Sequence, residues 1–253
     1  MKKRSGLYLY FIPAFVLASV LLFFLFIHNS KPRANWTVEG IRYSLDGNYE
    51  KALECYDIAL KENKNDHQLL LLKAMALRRL GRYEECVAYA DKSLEIEPND
   101  YNAYSCKGSC LVKLKRYEEA IDYYNKALAI KPSHINALDG KGIACYRMGK
   151  YSEARECFDK IIKIKPDNYR ASFKAAVVSA KRKRYDRALA SLESCLKYKP
   201  DYEHAWFLKG LVLETMKDYD RAVECYDMVL KINPNNTRAS NAKERLTGNI
   251  SRN

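Results

Sequence analysis

The chain's 253 residues suffice for one or two globular domains, and its net charge is +13. Eight cysteines scattered among helical patterns exclude a small secreted disulfide scaffold and read as small buried hydrophobes. The positive charge is uneven: residues 1–33, 169–202 and 237–253 are basic, whereas 34–66 and 203–236 are acidic, a distribution that suggests an anionic partner or polyanionic surface and says nothing about fold.

Residues 1–5 form a basic N-terminus. They precede an uncharged apolar run, 6–27, which as a helix would extend roughly 33 Å, enough for a hydrocarbon core. Pro13 is tolerable inside such a helix, and Tyr8 and Tyr10 suit an interface. A cleaved signal peptide would have a shorter apolar region and a small-residue cleavage site, so the run is expected to be an uncleaved anchor in the plasma (cell) membrane. Lys2, Lys3 and Arg4 on one side balance Lys31, Arg33 and Arg42 on the other, and the side of the membrane stays open. Unpaired cysteines favour a cytosolic placement; a short basic N-terminus favours the opposite one. Residues 28–34 make a polar juxtamembrane linker reaching at most about 25 Å.

From there a fixed period takes over. Tyr49, Tyr83, Tyr117, Tyr151, Tyr185 and Tyr219 stand in register, dividing 33–236 into six equal units: 33–66, 67–100, 101–134, 135–168, 169–202 and 203–236. Counting from Arg33, position 8 is always Gly or Ala and position 20 always Ala or Cys. Position 24 is large in all but the second unit: Tyr56, Tyr124, Phe158, Leu192 and Tyr226, with Ala90 as the exception. Positions 4, 8 and 11 make one helical stripe and 20, 24 and 27 another. Turn-forming residues lie between the stripes, and Pro98, Pro132, Pro166, Pro200 and Pro234 close the units. Small residues let two helices approach, and the large ones, including the position-17 tyrosines, are expected to fill the core beside them. Each unit is a helical hairpin that buries its apolar face only by stacking on neighbours. Residues 237–246 should add a polar capping helix, and 248–253 a frayed tail.

With Ala205-Trp206, Lys209-Gly210, Tyr219, Ala222, Tyr226 and Pro234 in the sixth unit, the chain resembles the tetratricopeptide repeat family over 33–236. The resemblance implies an all-α, right-handed solenoid of six helix-turn-helix repeats with a concave groove. Lys115, Lys183 and Lys217 replace the usual turn glycine, and Cys86 the usual alanine.

No catalytic arrangement stands out. The histidines fall in or beside connections without Ser, Cys or Asp partners at a telling spacing, and there is no phosphate-binding glycine loop. Cys106 and Cys110 share a helix face, but no histidine stands near them to complete a zinc site. Neither catalysis, cofactor nor metal is expected. The run Lys181-Arg182-Lys183-Arg184 reads as a helix C-terminus favoured by the dipole rather than a nucleic-acid patch.

The resemblance places ligand contacts on the first helix of each unit, at positions 2, 5, 9, 12 and 13. The apolar candidates there are Leu71, Met75, Ile143, Phe173, Val177, Phe207 and Leu211. Asn102 and Asn136 are polar candidates, and Arg79, Lys113, Arg147 and Lys181 form a basic ladder at position 13. The carboxylate clamp of chaperone-tail receptors is absent: the matching positions hold Thr37, Ile41, Leu72, Ser105 and Ser109. The expected function is a non-enzymatic, membrane-anchored scaffold whose groove binds a peptide with apolar and acidic segments from a membrane-proximal protein. Two alternatives stay open: a polyanion or anionic-lipid binding module, and an accessory subunit of a cell-envelope assembly.

Overall fold

The computed structural model describes residues 33–250, with side chains described for 36–248. The expected anchor at 6–27, the basic residues before it and the linker at 28–32 lie outside the described residues. Within them, no helix is long and apolar enough to cross a membrane.

The described residues form thirteen helices and no strand. Six hairpins follow one another: α1 (Arg33–Leu45) with α2 (Tyr49–Glu62), α3 (His67–Arg79) with α4 (Tyr83–Ile96), and α5 (Tyr101–Lys113) with α6 (Tyr117–Ile130). Then come α7 (Ile135–Arg147) with α8 (Tyr151–Ile164), α9 (Tyr169–Lys181) with α10 (Tyr185–Tyr198), and α11 (Glu203–Thr215) with α12 (Tyr219–Ile232). The capping helix α13 (Thr237–Ile250) buries Ala239, Ala242 and Leu246, and it runs through Gly248, where a frayed tail was expected.

Local chemistry sets these boundaries. Asp66, Asp100 and Asn168 accept hydrogen bonds from the first-turn amides of α3, α5 and α9, and Asn48 and Asp218 do so for α2 and α12. Between paired helices the chain must turn left-handed. Gly47, Gly81 and Gly149 take that conformation freely, with φ of 80°, 78° and 76°. Lys115, Lys183 and Lys217 take it too, at 62°, 56° and 66°, each against a steric cost of about 1 kcal/mol that the packed hairpin absorbs. The helices then approach as the small residues foretell. A Cβ on Gly108, Gly142 or Gly210 would meet the ring of Tyr124, Phe158 or Tyr226 at under 3 Å.

The position-17 tyrosines border that core rather than fill it, with Tyr49, Tyr83, Tyr117 and Tyr151 packed against it from outside. All are half-buried at best, and Tyr219 is 41% exposed. They open the second helix directly after the turn.

Helices pack on their chain neighbours, and contacts two helices apart link first helices to first helices: α1 to α3, α3 to α5, α5 to α7 and α9 to α11. The first helices therefore crowd together on the inner side of the array, and the most extensive of these contacts joins α5 to α7.

Buried lysines fasten successive units. Lys73 and Lys107 are only 7% and 8% exposed. Each reaches back to the preceding unit's second helix and donates to an aspartate there, Asp57 and Asp91 respectively. Each also donates to a tyrosine on the following helix, at 2.8 Å from Tyr89 Oη or Tyr123 Oη. The register returns as Lys209–Glu193 at 3.7 Å and Lys243–Asp227 at 2.6 Å. Burial alone would push the Lys73 and Lys107 ammonium groups down, but the hydrogen bonds they donate to carboxylate and phenol hold both above their ordinary value of 10.5. A raised folded-state value stabilises fully below the unfolded one and is lost as pH climbs through the folded value. The urea midpoint should therefore fall with pH above 10.5, and a Lys73→Met/Lys107→Met variant should fall less steeply. Parallel curves for the two proteins would remove these lysines from the alkaline dependence. Groups that contact neither lysine contribute to both curves and cancel in the difference.

Candidate functional site

The inner side carries two separate concavities. The larger, ≈ 690 Å³, lies between α3, α5 and α7 and is lined by Leu71, Met75, Arg79, Asn102, Lys113, Asn136 and Ile143. A shallower extension of ≈ 530 Å³ shares Leu71, Met75 and Asn102 and adds His67 and Gln68. The second concavity, ≈ 370 Å³, holds Phe173, Val177, Phe207 and Leu211, with Asn236 and Arg238 closing its far end. Lys174 on α9 reaches across to Asp139 on α7 at 2.5 Å, and Arg147 and Lys181 line neither concavity. The thirteen candidate positions are therefore divided between two concavities rather than lining a single one.

The larger concavity owes its floor to glycine. Gly108 on α5 and Gly140 on α7 both face the Tyr124 ring from α6, and a Cβ at Gly140 would lie 2.2 Å from the phenol. Elsewhere in the array the equivalent of Gly140 is a larger residue: Val38, Leu72, Cys106, Lys174 or Leu208. Without that glycine, the phenol could not reach the floor while its ring stays 1% exposed.

The concavity's polarity is one-sided. Arg78, Arg79 and Lys113 line it, and Asp139, its one acidic lining residue, is committed to Lys174. Among the described residues Arg79 and Lys113, both exposed, take part in no ion pair. Arg78 Nε and His134 Nδ1 are buried there without a hydrogen-bond partner. Burial first, and the Lys131 charge second, hold the His134 imidazole below its ordinary value, with Asp100 opposing. A polar atom buried unpaired costs about 1–3 kcal/mol, which an incoming acceptor would relieve.

The apolar candidates divide. Met75 is 42% exposed and offers a flexible, polarizable apolar side chain on the concave wall. Phe173 and Phe207 spend much of their surface internally. Phe173 packs edge-on against Tyr202, ring centroids 5.2 Å apart, and Phe207 lies 5.8 Å from the Tyr226 ring, with the Arg238 guanidinium 4.6 Å above it. Sequence reasoning missed Tyr124, Cys106 and His134 as groove residues, because none stands at a first-helix contact position of the repeat. The glycine pair at 140 and 142 was the available signal, since one small residue per turn suffices for packing. No group of three His, Cys, Asp or Glu side chains among the described residues is placed to hold a metal.

A family model described as the Psidin N-terminal TPR repeats region matches residues 43–180, more than half of the chain. A second, described as tetratricopeptide repeat, matches residues 204–236. No curated protein matches the chain. Among solved structures, PilW, described as a type IV pilus biogenesis factor, is 18% identical, with 84% of this chain and 98% of that one covered at a TM-score of 0.75. PilF of Pseudomonas aeruginosa is 17% identical, covering 86% and 97% at 0.71. YrrB, described as a TPR protein with an unusual peptide-binding site, is 23% identical, covering 76% and 99% at 0.65. At these identities the likeness establishes the fold alone.

Proposed function

The chain belongs to the tetratricopeptide repeat family, whose members are protein-interaction scaffolds, and from that premise we propose that the concavity between α3, α5 and α7 binds an acidic peptide segment with an apolar anchor. One observation carries the reading: a concavity of ≈ 690 Å³ lined by basic side chains that take part in no ion pair and by an exposed methionine. Met75, Leu71 and Ile143 would seat the apolar anchor, while Arg79 and Lys113 steer and register the acidic flank. Arg78 Nε, buried and unsatisfied, offers a donor to a peptide carboxylate or carbonyl. Asn102 and Asn136, exposed on successive first helices, would hold the peptide backbone. That YrrB is described as having a peptide-binding site supports a peptide as the ligand class.

Random peptides displayed on phage and selected against the protein should converge on acidic sequences with one large apolar residue. An Arg79→Glu/Lys113→Glu variant should bind the selected peptides about 10- to 100-fold more weakly, through two reversed charges worth roughly 1 kcal/mol or more each. Wild-type affinity should also fall with salt. If the selected peptides bind the variant as tightly as the wild type, this concavity is not the site. We propose further that the apolar run 6–27 anchors the array in a membrane, which places the partner within reach of a seven-residue linker. Carbonate extraction of the membrane fraction tests the anchor: release into the supernatant would refute it.

A further inference from the structure

Three thiols meet beneath the groove. Cys86 on α4 faces Cys106 and Cys110, one turn apart on α5, in the interior between the second and third units. Cys110 Sγ lies 2.7 Å from Cys86 Sγ, and Cys86 Sγ lies 3.7 Å from Cys106 Sγ. The chain brings these sulfurs together from sites 20 and 24 residues apart, and all three are free. Of the three, Cys106 alone lines the groove, where it is 7% exposed, whereas Cys86 and Cys110 are fully buried. Arg78, with its unsatisfied Nε, lines the same concavity. An inert buried cysteine has none of these: no second thiol, no cation and no opening.

We propose that Cys86, Cys106 and Cys110 form a site of reversible oxidation that a hydroperoxide enters through the groove. The Cys106 thiolate attacks one peroxide oxygen. The O–O bond breaks, Cys106 becomes a sulfenic acid, and the other oxygen leaves as water or an alcohol, carrying the proton that the thiol gave up. Cys86 then attacks the Cys106 sulfur; the S–O bond breaks and a second water leaves with the proton from Cys86. The sum is two thiols and one hydroperoxide giving one disulfide, one water and one water or alcohol; each sulfur loses one electron and the peroxide gains two. Cys110 stands close enough to Cys86 to take over the bond by exchange, which moves the disulfide into the interior and returns a free thiol at Cys106.

The local electrostatics favour Cys106 as the attacking thiolate, whereas the bonds to Cys106 and Cys110, and then burial, push the Cys86 thiol well above its ordinary value, so Cys86 attacks only as its proton leaves. Hydrogen bonds from Cys110 and Cys86, together with the nearby Arg78 charge, hold the Cys106 thiol below its ordinary value despite burial. Cys110 is pushed up to about 12, chiefly by its bond to Cys106. Either disulfide ties α4 to α5 across a unit boundary that is otherwise held only by packing and ion pairs. On the peptide-binding reading it would also fix the position of α5, which supplies Ser105, Ser109 and Lys113 to the groove. The oxidation chemistry itself does not depend on that reading.

The sequence makes the test direct. Trypsin cleaves at Arg82, Lys92, Lys107 and Lys113, which puts Cys86, Cys106 and Cys110 on the separate peptides 83–92, 93–107 and 108–113. The full-length protein is treated with stoichiometric hydrogen peroxide, its remaining thiols are alkylated, and it is digested without reduction. The expected product is peptide 83–92 linked to 93–107 or to 108–113, two hydrogens lighter than the sum of the pair. Cys106→Ser should slow formation of any link by about tenfold or more, because Cys86 and Cys110 lack the opening to the groove. Cys86→Ser should leave a sulfenic acid on peptide 93–107 that dimedone traps. Oxidation spread evenly over the eight cysteines, no linked peptide, or an unchanged rate in Cys106→Ser would each overturn the proposal. Peptide affinity, measured before and after oxidation, reports separately on the groove. An unchanged affinity in a cross-linked protein would leave the oxidation site standing and remove only its effect on binding.

Discussion

Tyr124→Ala is expected to destabilise the protein by about 3–5 kcal/mol, the range for truncating a buried aromatic side chain to alanine. The Tyr124 ring is 1% exposed and fills the space left open by two glycines, Gly108 on its own hairpin partner α5 and Gly140 on the next unit's α7. Removing it therefore opens one cavity shared by two units. Neither glycine carries a side chain that could relax into the gap, so the cost should fall at the high end. Tyr124→Phe should cost far less, under about 1 kcal/mol, because the hydroxyl makes no hydrogen bond among the described residues and meets the groove floor instead. The homologous pair at Tyr226 should behave differently. There the hydroxyl donates to Glu214 at 2.9 Å, and Tyr226→Phe leaves that carboxylate with the Arg245 contact alone. Urea titration followed by far-UV circular dichroism gives all three values. If Tyr124→Ala costs no more than Tyr124→Phe, the ring is not what holds the third and fourth units together.

The same ring shows how far sequence carries. Period, hairpin boundaries and the small-against-large pairing at positions 8, 20 and 24 follow from residue volumes at a helical spacing, and the helices begin and end where those volumes and the turn residues dictate. The position-17 tyrosines were misread as core because a helical stripe locates a face but not the depth of a helix's first residue. Lys73 and Lys107 lie beyond single-unit reasoning for another reason. Their partners stand 16 residues earlier on the preceding hairpin, so the pair exists only once units stack. The thiol cluster follows the same logic: the spacing of Cys106 and Cys110 was visible, whereas Cys86 reaches them only across the unit boundary. The groove candidates were chosen position by position, which could not reveal that those on α3, α5 and α7 line one concavity and those on α9 and α11 another.

Arg155→Ala should cost about 2–4 kcal/mol, although it lies outside both concavities and in no recognised motif position. In the fifth unit the fastening lysine is missing: Ala175 occupies the place held by Lys73 and Lys107 in earlier units. Arg155 on α8 supplies the cation from the opposite direction. Its guanidinium donates to Asp159 at 2.8 Å, to Ser179 Oγ at 2.5 Å, to Ser191 Oγ at 3.2 Å and to the Ala175 carbonyl at 3.2 Å. It thus joins α8, α9 and α10 where the second and third units use a lysine–aspartate pair. Its loss leaves two buried serines without their charged donor. If the cation rather than the particular residue is what the boundary requires, a lysine moved to the ordinary position should replace it. Ala175→Lys in the wild-type protein should destabilise, because it forces a second cation against Arg155. In the Arg155→Ala protein it should instead recover roughly 1.5 kcal/mol or more by donating to Asp159, the scale of a hydrogen bond to a charged group. Urea midpoints for the four proteins of this double-mutant cycle measure the coupling directly. A substitution at 175 with the same sign in both backgrounds would mean that the fifth unit is held by packing and that the inverted cation is incidental.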